Sequence, residues 1–126
     1  MNKYSHIDLR VNSWKKVRHF YEKLLPALGF TQTYHSEQWK VFAAERELPS
    51  VPYFAITEYH DHKPNDNLIG FWAEGRAEVD RIAQLVSEAG GIINSGPELL
   101  PISPTYYALY FEDPCGNKYE IVHRLN

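Results

Sequence analysis

One folding pattern occurs twice in this chain, and that repetition limits what it can become more than any other feature. Residues 6 to 11, HIDLRV, alternate strictly, with Ile7, Leu9 and Val11 on one face and His6, Asp8 and Arg10 on the other. Such alternation marks a half-buried strand. Ser13 reads as an N-cap. From Trp14 the apolar positions Val17, Phe20, Tyr21, Leu24, Leu25 and Leu28 recur at helical spacing until Pro26 and Gly29 end the segment. Three strand-like runs follow, FTQTYH, QWKVFAA and VPYFAITEY, with polar or Pro-containing breaks between them. The polar stretch HDHKPNDN at 60 to 67 carries no periodicity and reads as a connector. After it the order starts again. A strand LIGFWA leads to a helix from about Ala77 with Val79, Ile82, Leu85, Val86 and Ala89 on one face, ended by Gly90-Gly91; three more strands lie near 92 to 100, at 106 to 111 and at 118 to 123. Laying His6 on Leu68 offsets the two copies by 62 residues.

The expected fold class is therefore α+β. Two tandem βαβββ modules, about 4–59 and about 68–124, would form a single domain, with a curved mixed sheet around a shared cavity and helices on the outer face. If the helices cover the Ile7/Leu9/Val11 and Ile69/Phe71 faces, the opposite residues line the cavity: His6, Asp8 and Arg10 from the first module, Leu68, Gly70 and Trp72 from the second. A slip of one residue would invert every side chain, so alternation alone makes this assignment. Two Pro-containing loops, 45–52 and 97–105, would decide how open the cavity is.

Composition excludes several function classes. At 126 residues the chain has the size of one ordinary domain, with 44% hydrophobic and 23% charged residues. No apolar run approaches the roughly 20 residues that cross a bilayer. The segment MNKYSHIDLRV enters a strand pattern without a signal-peptide core, so the expected location is cytoplasmic. A net charge of -3 with scattered Lys and Arg argues against a nucleic-acid partner. The lone cysteine, Cys115, is expected as an exposed turn residue. Nine Tyr and three Trp suit either a ring-lined cavity or a well-packed core.

The segment YFEDPCGNKYEIVHR raises the functional question, because a strand that needed only burial would not carry Glu120. A carboxylate there needs a polar partner or a cavity. The repeat, the opening HIDLRV with the helix segment FYEKLLPALGF, and above all YFEDPCGNKYEIV resemble the glyoxalase, bleomycin-resistance and extradiol-dioxygenase superfamily, the vicinal oxygen chelate fold. The resemblance covers essentially the whole chain. In metal-using members it implies a divalent ion held by residues of the first and last strands of both modules.

Carried over by position, His6 falls on the first metal ligand and Glu120 on the last, while Leu68 and Ala55 stand where a second His and a first-module Glu are expected. The resemblance thus implies an incomplete metal site, with a divalent ion as the one cofactor in question. Zinc takes three or four protein ligands and non-haem iron two His and a carboxylate. Glu58 lies three residues beyond Ala55, an odd step that points it to the helix side unless a bulge intervenes. His60 and His62 lie in the polar connector. Without metal, His6 and Glu120 would form a hydrogen-bonded pair in a polar cavity. Arg10, Trp72, Tyr106 and Tyr110 are the expected ligand-binding residues, with Trp72 beside Gly70 suited to stacking a flat ligand; the face of Trp39 is open.

Two functions follow. The first is a protein that binds or sequesters an aromatic or amphipathic small molecule, as in the bleomycin-resistance branch. The second is a metal-dependent glyoxalase-like lyase, isomerase or transferase using His6 and Glu120 as ligands, with a metal-free variant in which Glu120 is the catalytic base. The resemblance also implies a homodimer.

Overall fold

The structure is a computed structural model that describes residues 3–45 and 51–125. Residues 46–50 of the first Pro-containing loop lie outside them. The elements run β1 (His6–Val11), α1 (Trp14–Ala27), β2 (Gln32–His35), β3 (Trp39–Ala43), β4 (Tyr53–Glu58), β5 (Leu68–Trp72), α2 (Arg76–Glu88), β6 (Ile92–Leu99), β7 (Tyr107–Glu112) and β8 (Lys118–His123). They fall into two compact units, Met1–Lys63 and Pro64–Asn126, divided inside the polar connector. Each unit is a βαβββ module with one four-stranded mixed sheet, ordered β1-β4-β3-β2 in the first and β5-β8-β7-β6 in the second. In both, the opening strand runs parallel to the closing strand and the remaining pairs are antiparallel.

The two helices end in the same way. After α1, Gly29 has φ 99°, the Gly29 N–H donates to Pro26 O at 3.0 Å and the Phe30 N–H to Leu25 O at 2.9 Å. After α2, Gly90 has φ 88°, and the N–H groups of Gly90 and Gly91 donate to Ser87 O and Val86 O. This crossed pair of bonds around a left-handed residue is a Schellman cap, in which glycine avoids the Cβ penalty. Pro26, expected to help end the first helix, sits inside its last turn. Gly29 is the residue that ends it.

Helix packing fixes which sheet face is covered. α1 buries Val17, Phe20, Tyr21, Leu24 and Leu25, and Tyr21 meets Phe54 of β4 with ring centroids 6.4 Å apart. α2 buries Val79, Ile82, Ala83 and Val86, while Asp80 accepts the Tyr107 hydroxyl of β7 at 2.6 Å. On that same side Phe71, Tyr119 and Phe111 stack at 5.9 and 5.5 Å. The helix-covered faces are thus those that alternation assigned, and His6, Asp8, Arg10, Leu68, Gly70 and Trp72 are all exposed on the other side.

The turn between β7 and β8 is built around Asp113, which is fully buried. Its Oδ1 accepts the N–H groups of Cys115 at 2.7 Å and Asn117 at 3.0 Å, and its Oδ2 accepts Asn117 Nδ2 at 2.9 Å. Gly116 completes the turn with φ 98°, where a Cβ would lie 2.9 Å from Pro64 Cγ. The Asp-Pro-x-Gly part of the motif is therefore a device for delivering β8 in register. Cys115 is buried, at 9% exposure, and not exposed as expected: the Asp113 carboxylate draws its backbone inward.

Candidate functional site

The strand register places three residues side by side on the face of the second sheet away from α2. Glu120 of β8 lies opposite Gly70 of β5 and opposite Tyr110 of β7. In the first unit the corresponding row is Asp8, Ala55 and Val41. Ala55 is thus the topological counterpart of Glu120, as its sequence position implied, and its methyl group is fully buried. The row in the second unit has the acid, a ring beside it and no side chain on its other flank.

Glu120 is only 6% exposed, and its Oε2 accepts the Tyr106 hydroxyl at 2.5 Å. The carboxylate thus has a polar partner, and a buried carboxylate is tolerable when hydrogen-bonded. Donation to Glu120 holds the Tyr106 phenol far above its usual range, with burial and the carboxylate's charge adding to the effect. Tyr110 is also raised, by burial first and then by the charge of Glu120 and a hydrogen bond to it. Both phenols accordingly keep their protons wherever the protein is near neutral pH.

A shallow hollow of about 230 Å³ opens beside Glu120, lined by Gly70, Phe71, Trp72, Tyr106, Val122 and Arg124 as well. A Cβ built at Gly70 would meet nothing within 4 Å, and its φ is not in the left-handed region, so neither packing nor backbone geometry requires glycine there. Trp72 is 63% exposed, with the Arg124 guanidinium 4.6 Å from its ring centroid. One face of that ring is therefore taken by a cation–π contact. Arg124 was not among the expected site residues. Continuing the alternation from Glu120 through Val122 would have placed it on this face.

The remaining candidates have other company. His6 stacks on Tyr53 at 4.6 Å, its Nδ1 lies 2.9 Å from Ser5 Oγ and its Nε2 3.8 Å from Asp8 Oδ2. Arg10 and Thr57 are paired across β1 and β4, and Thr57 with Trp39, which puts Trp39 on the face away from α1. Glu58 points to the helix side, as its odd step required; its Oε2 accepts the Trp14 N–H at 2.8 Å, capping α1. His60 is exposed beside Asp61.

These donors fit a resident divalent ion poorly. Among the described residues no group of three or more His, Cys, Asp or Glu side chains could hold one. Glu120 already accepts a phenol proton at Oε2, and Glu58 is committed to a helix terminus. Leu68 and Ala55 offer no donor atoms.

The profile of the Glyoxalase/Bleomycin resistance protein/Dioxygenase superfamily matches residues 3–121. The chain belongs to that superfamily. Among solved structures, it is similar to a glyoxalase/bleomycin resistance protein from Albidiferax ferrireducens, at 24% identity and TM-score 0.77, over 98% of this chain and 100% of that one. It is also similar to the fosfomycin resistance protein FosX from Mesorhizobium loti, at 18% identity and TM-score 0.70, over 99% and 94% of the two chains. FosX from Listeria monocytogenes, solved as a variant with Mn(II) and a dihydroxypropylphosphonic acid, is 20% identical with TM-score 0.72, over 99% and 92%. At these identities the likeness establishes the fold. No protein of curated function matches the sequence. No helix among the described residues is long and apolar enough to cross a membrane.

Proposed function

We propose that this chain is a small-molecule-binding member of its superfamily, which takes an aromatic or amphipathic ligand against Glu120. The observation that carries the reading is the bare flank at Gly70 beside a nearly buried carboxylate. Glycine inside a strand costs roughly 0.5–1 kcal/mol relative to alanine, and nothing in the surroundings of position 70 calls for it. An acid kept only for structure would be better served by a side chain closing that flank. Space left open next to the acid suits the close approach of a ligand.

The chemistry of the hollow defines what it would accept. Tyr106 and Tyr110 fix the carboxylate's orientation, and a carboxylate has about four acceptor positions, so Glu120 retains capacity for a ligand N–H, O–H or ammonium. The exposed ring of Trp72 and the side chain of Val122 supply apolar surface for the body of the molecule. Such binding requires no acid–base step and no resident metal.

Titration with benzylamine and 2-phenylethanol, followed by tryptophan fluorescence, tests this reading. Saturable quenching that disappears in Trp72→Phe and weakens about tenfold in Glu120→Gln is expected. Binding undiminished by Glu120→Gln would refute it, as would stoichiometric metal in the purified protein that is lost in both His6→Ala and Glu120→Gln.

A further inference from the structure

Beside the Glu120 hollow lies a second cavity of about 430 Å³, lined by Ile102, Ser103, Pro104, Tyr106, Arg124 and Leu125. Tyr106 and Arg124 line both spaces, so these two side chains form their common border. Size separates the two. Ligand pockets are commonly about 300–1,000 Å³; the hollow at Glu120 falls short of that range, and the second cavity lies within it.

The second cavity is built from loop and chain-end segments, yet its walls are tied down. Thr105 Oγ1 donates to Leu125 O at 2.8 Å and accepts the Leu125 N–H at 2.9 Å. The Leu100 N–H donates to Tyr106 O at 2.9 Å, which holds the loop against the start of β7. Its lining is mostly apolar, and Ile102 and Leu125 present large exposed side chains. Among them sits a single anomaly. The Ser103 hydroxyl is buried and has no hydrogen-bond partner, alone in this respect among buried side-chain polar atoms of the described residues. Buried hydroxyls are nearly always partnered; the Ser103 oxygen is closed off as it stands, and a rotation about its Cα–Cβ bond would be needed to bring it to a polar atom of a ligand in this cavity.

We propose that the cavity around Ile102, Ser103 and Leu125 receives the apolar tail of an amphipathic ligand whose hydrogen-bond-donating head lies at Glu120. The Ser103 hydroxyl bonds a polar atom carried within that tail. The inference rests on the Glu120 reading above and extends it: the ligand is an elongated amphiphile, not a compact ring alone. It also gives the segment 100–106, between β6 and β7, a specificity role that nothing in the repeat pattern assigns.

A series of primary n-alkylamines from ethylamine to octylamine, titrated against the whole chain by tryptophan fluorescence, tests this. Once the chain is long enough to pass Tyr106, Kd should fall about fourfold per methylene, the effect of burying a CH₂ group. Ile102→Ser and Leu125→Ser should flatten that gradient; both side chains are exposed, so neither change threatens folding. Glu120→Gln should weaken every member while the gradient persists. 3-Butoxypropylamine, an ether counterpart of octylamine, should lose about fivefold in Ser103→Ala while octylamine does not.

Glu120-dependent binding without a chain-length gradient would overturn the second cavity and leave the Glu120 reading standing. A gradient that survives both serine variants would overturn it as well. Affinities for the amines that Glu120→Gln leaves unchanged, or no binding by any amine, would remove both readings. If instead a second copy of the chain covers Ile102 and Leu125, sedimentation would show a dimer that Ile102→Ser dissociates and no gradient would appear, which also refutes the proposal.

Discussion

The Tyr106 hydroxyl reaches Glu120 Oε2 at 2.5 Å, linking the residue just before β7 to the middle of β8. That bond is what allows a carboxylate to sit at 6% exposure on a strand whose other residues are largely apolar. The first unit has no such arrangement, because Ala55 stands at the corresponding place and Val41 beside it. The two modules thus differ at this place, where the second carries a nearly buried carboxylate and the first a methyl group.

Removing the donor should be costly. Tyr106→Phe leaves Glu120 with fewer partners in a nearly buried position and is expected to destabilise the protein by about 2 kcal/mol, the range for hydrogen bonds to charged groups. Urea denaturation measures it. An unchanged midpoint would mean that the short contact contributes nothing.

Alkaline titration probes the same centre. The pKa of Tyr106 is raised, by donation to Glu120 first and by burial second, and that of Tyr110 by burial first and the Glu120 charge second. A group whose folded pKa is raised holds its proton more tightly in the native state. Its contribution to stability is complete below the unfolded tyrosine value of about 10 and is lost as pH climbs through the higher folded value. Phenolate absorbance should therefore show a late fraction among the nine tyrosines, smaller in Tyr106→Phe, and stability should fall with pH above about 10. All tyrosines titrating together in the folded protein would contradict this.

Glu58 serves α1. Its carboxylate accepts the Trp14 N–H at the helix start, where an acid also meets the positive end of the helix dipole. Glu58→Ala should cost about 1 kcal/mol, read by thermal denaturation. Glu58→Gln should cost less, since an amide oxygen still accepts. Equal losses in the two variants would point to charge alone.

Asp113→Ala should be the most damaging of these changes, because the fully buried carboxylate accepts the hydrogen bonds from Cys115 and Asn117 that hold the turn setting β8 in place. A loss of about 3 kcal/mol or more is expected. In the native protein Cys115 should react slowly with thiol reagents, being buried within that turn, and Asp113→Ala should make it fast. A near-neutral substitution would show that the turn forms without its carboxylate.

Much of this was legible in the sequence, for reasons that can be traced. The period-two alternation in HIDLRV and LIGFWA forces one face per strand, so the exposed sides of β1 and β5 followed from the pattern alone. The resemblance then put Ala55 and Glu120 in equivalent places, and the registers agree. Parity placed Glu58 on the helix side, although its bond to Trp14, 44 residues away, depends on how α1 docks. Alternation places Tyr106 on the same face as Tyr110, but the partner expected for Glu120 is His6; the bond from Tyr106 depends on how the segment just before β7 is held. Cys115 looked like a surface residue because turns usually are; the buried Asp113 reverses that locally. Pro26 looked like a stop, but it lies inside the last turn of α1, and the left-handed Gly29 is where the helix ends.

The most direct test of the central claim is backbone amide NMR during titration with benzylamine. Saturable shifts concentrated at Gly70, Trp72 and the residue at position 120, needing about tenfold more ligand in Glu120→Gln, are predicted. Shifts that fall elsewhere in the chain, or that persist unchanged when Glu120 is replaced, would contradict the assignment of this acid as the anchor of a ligand site.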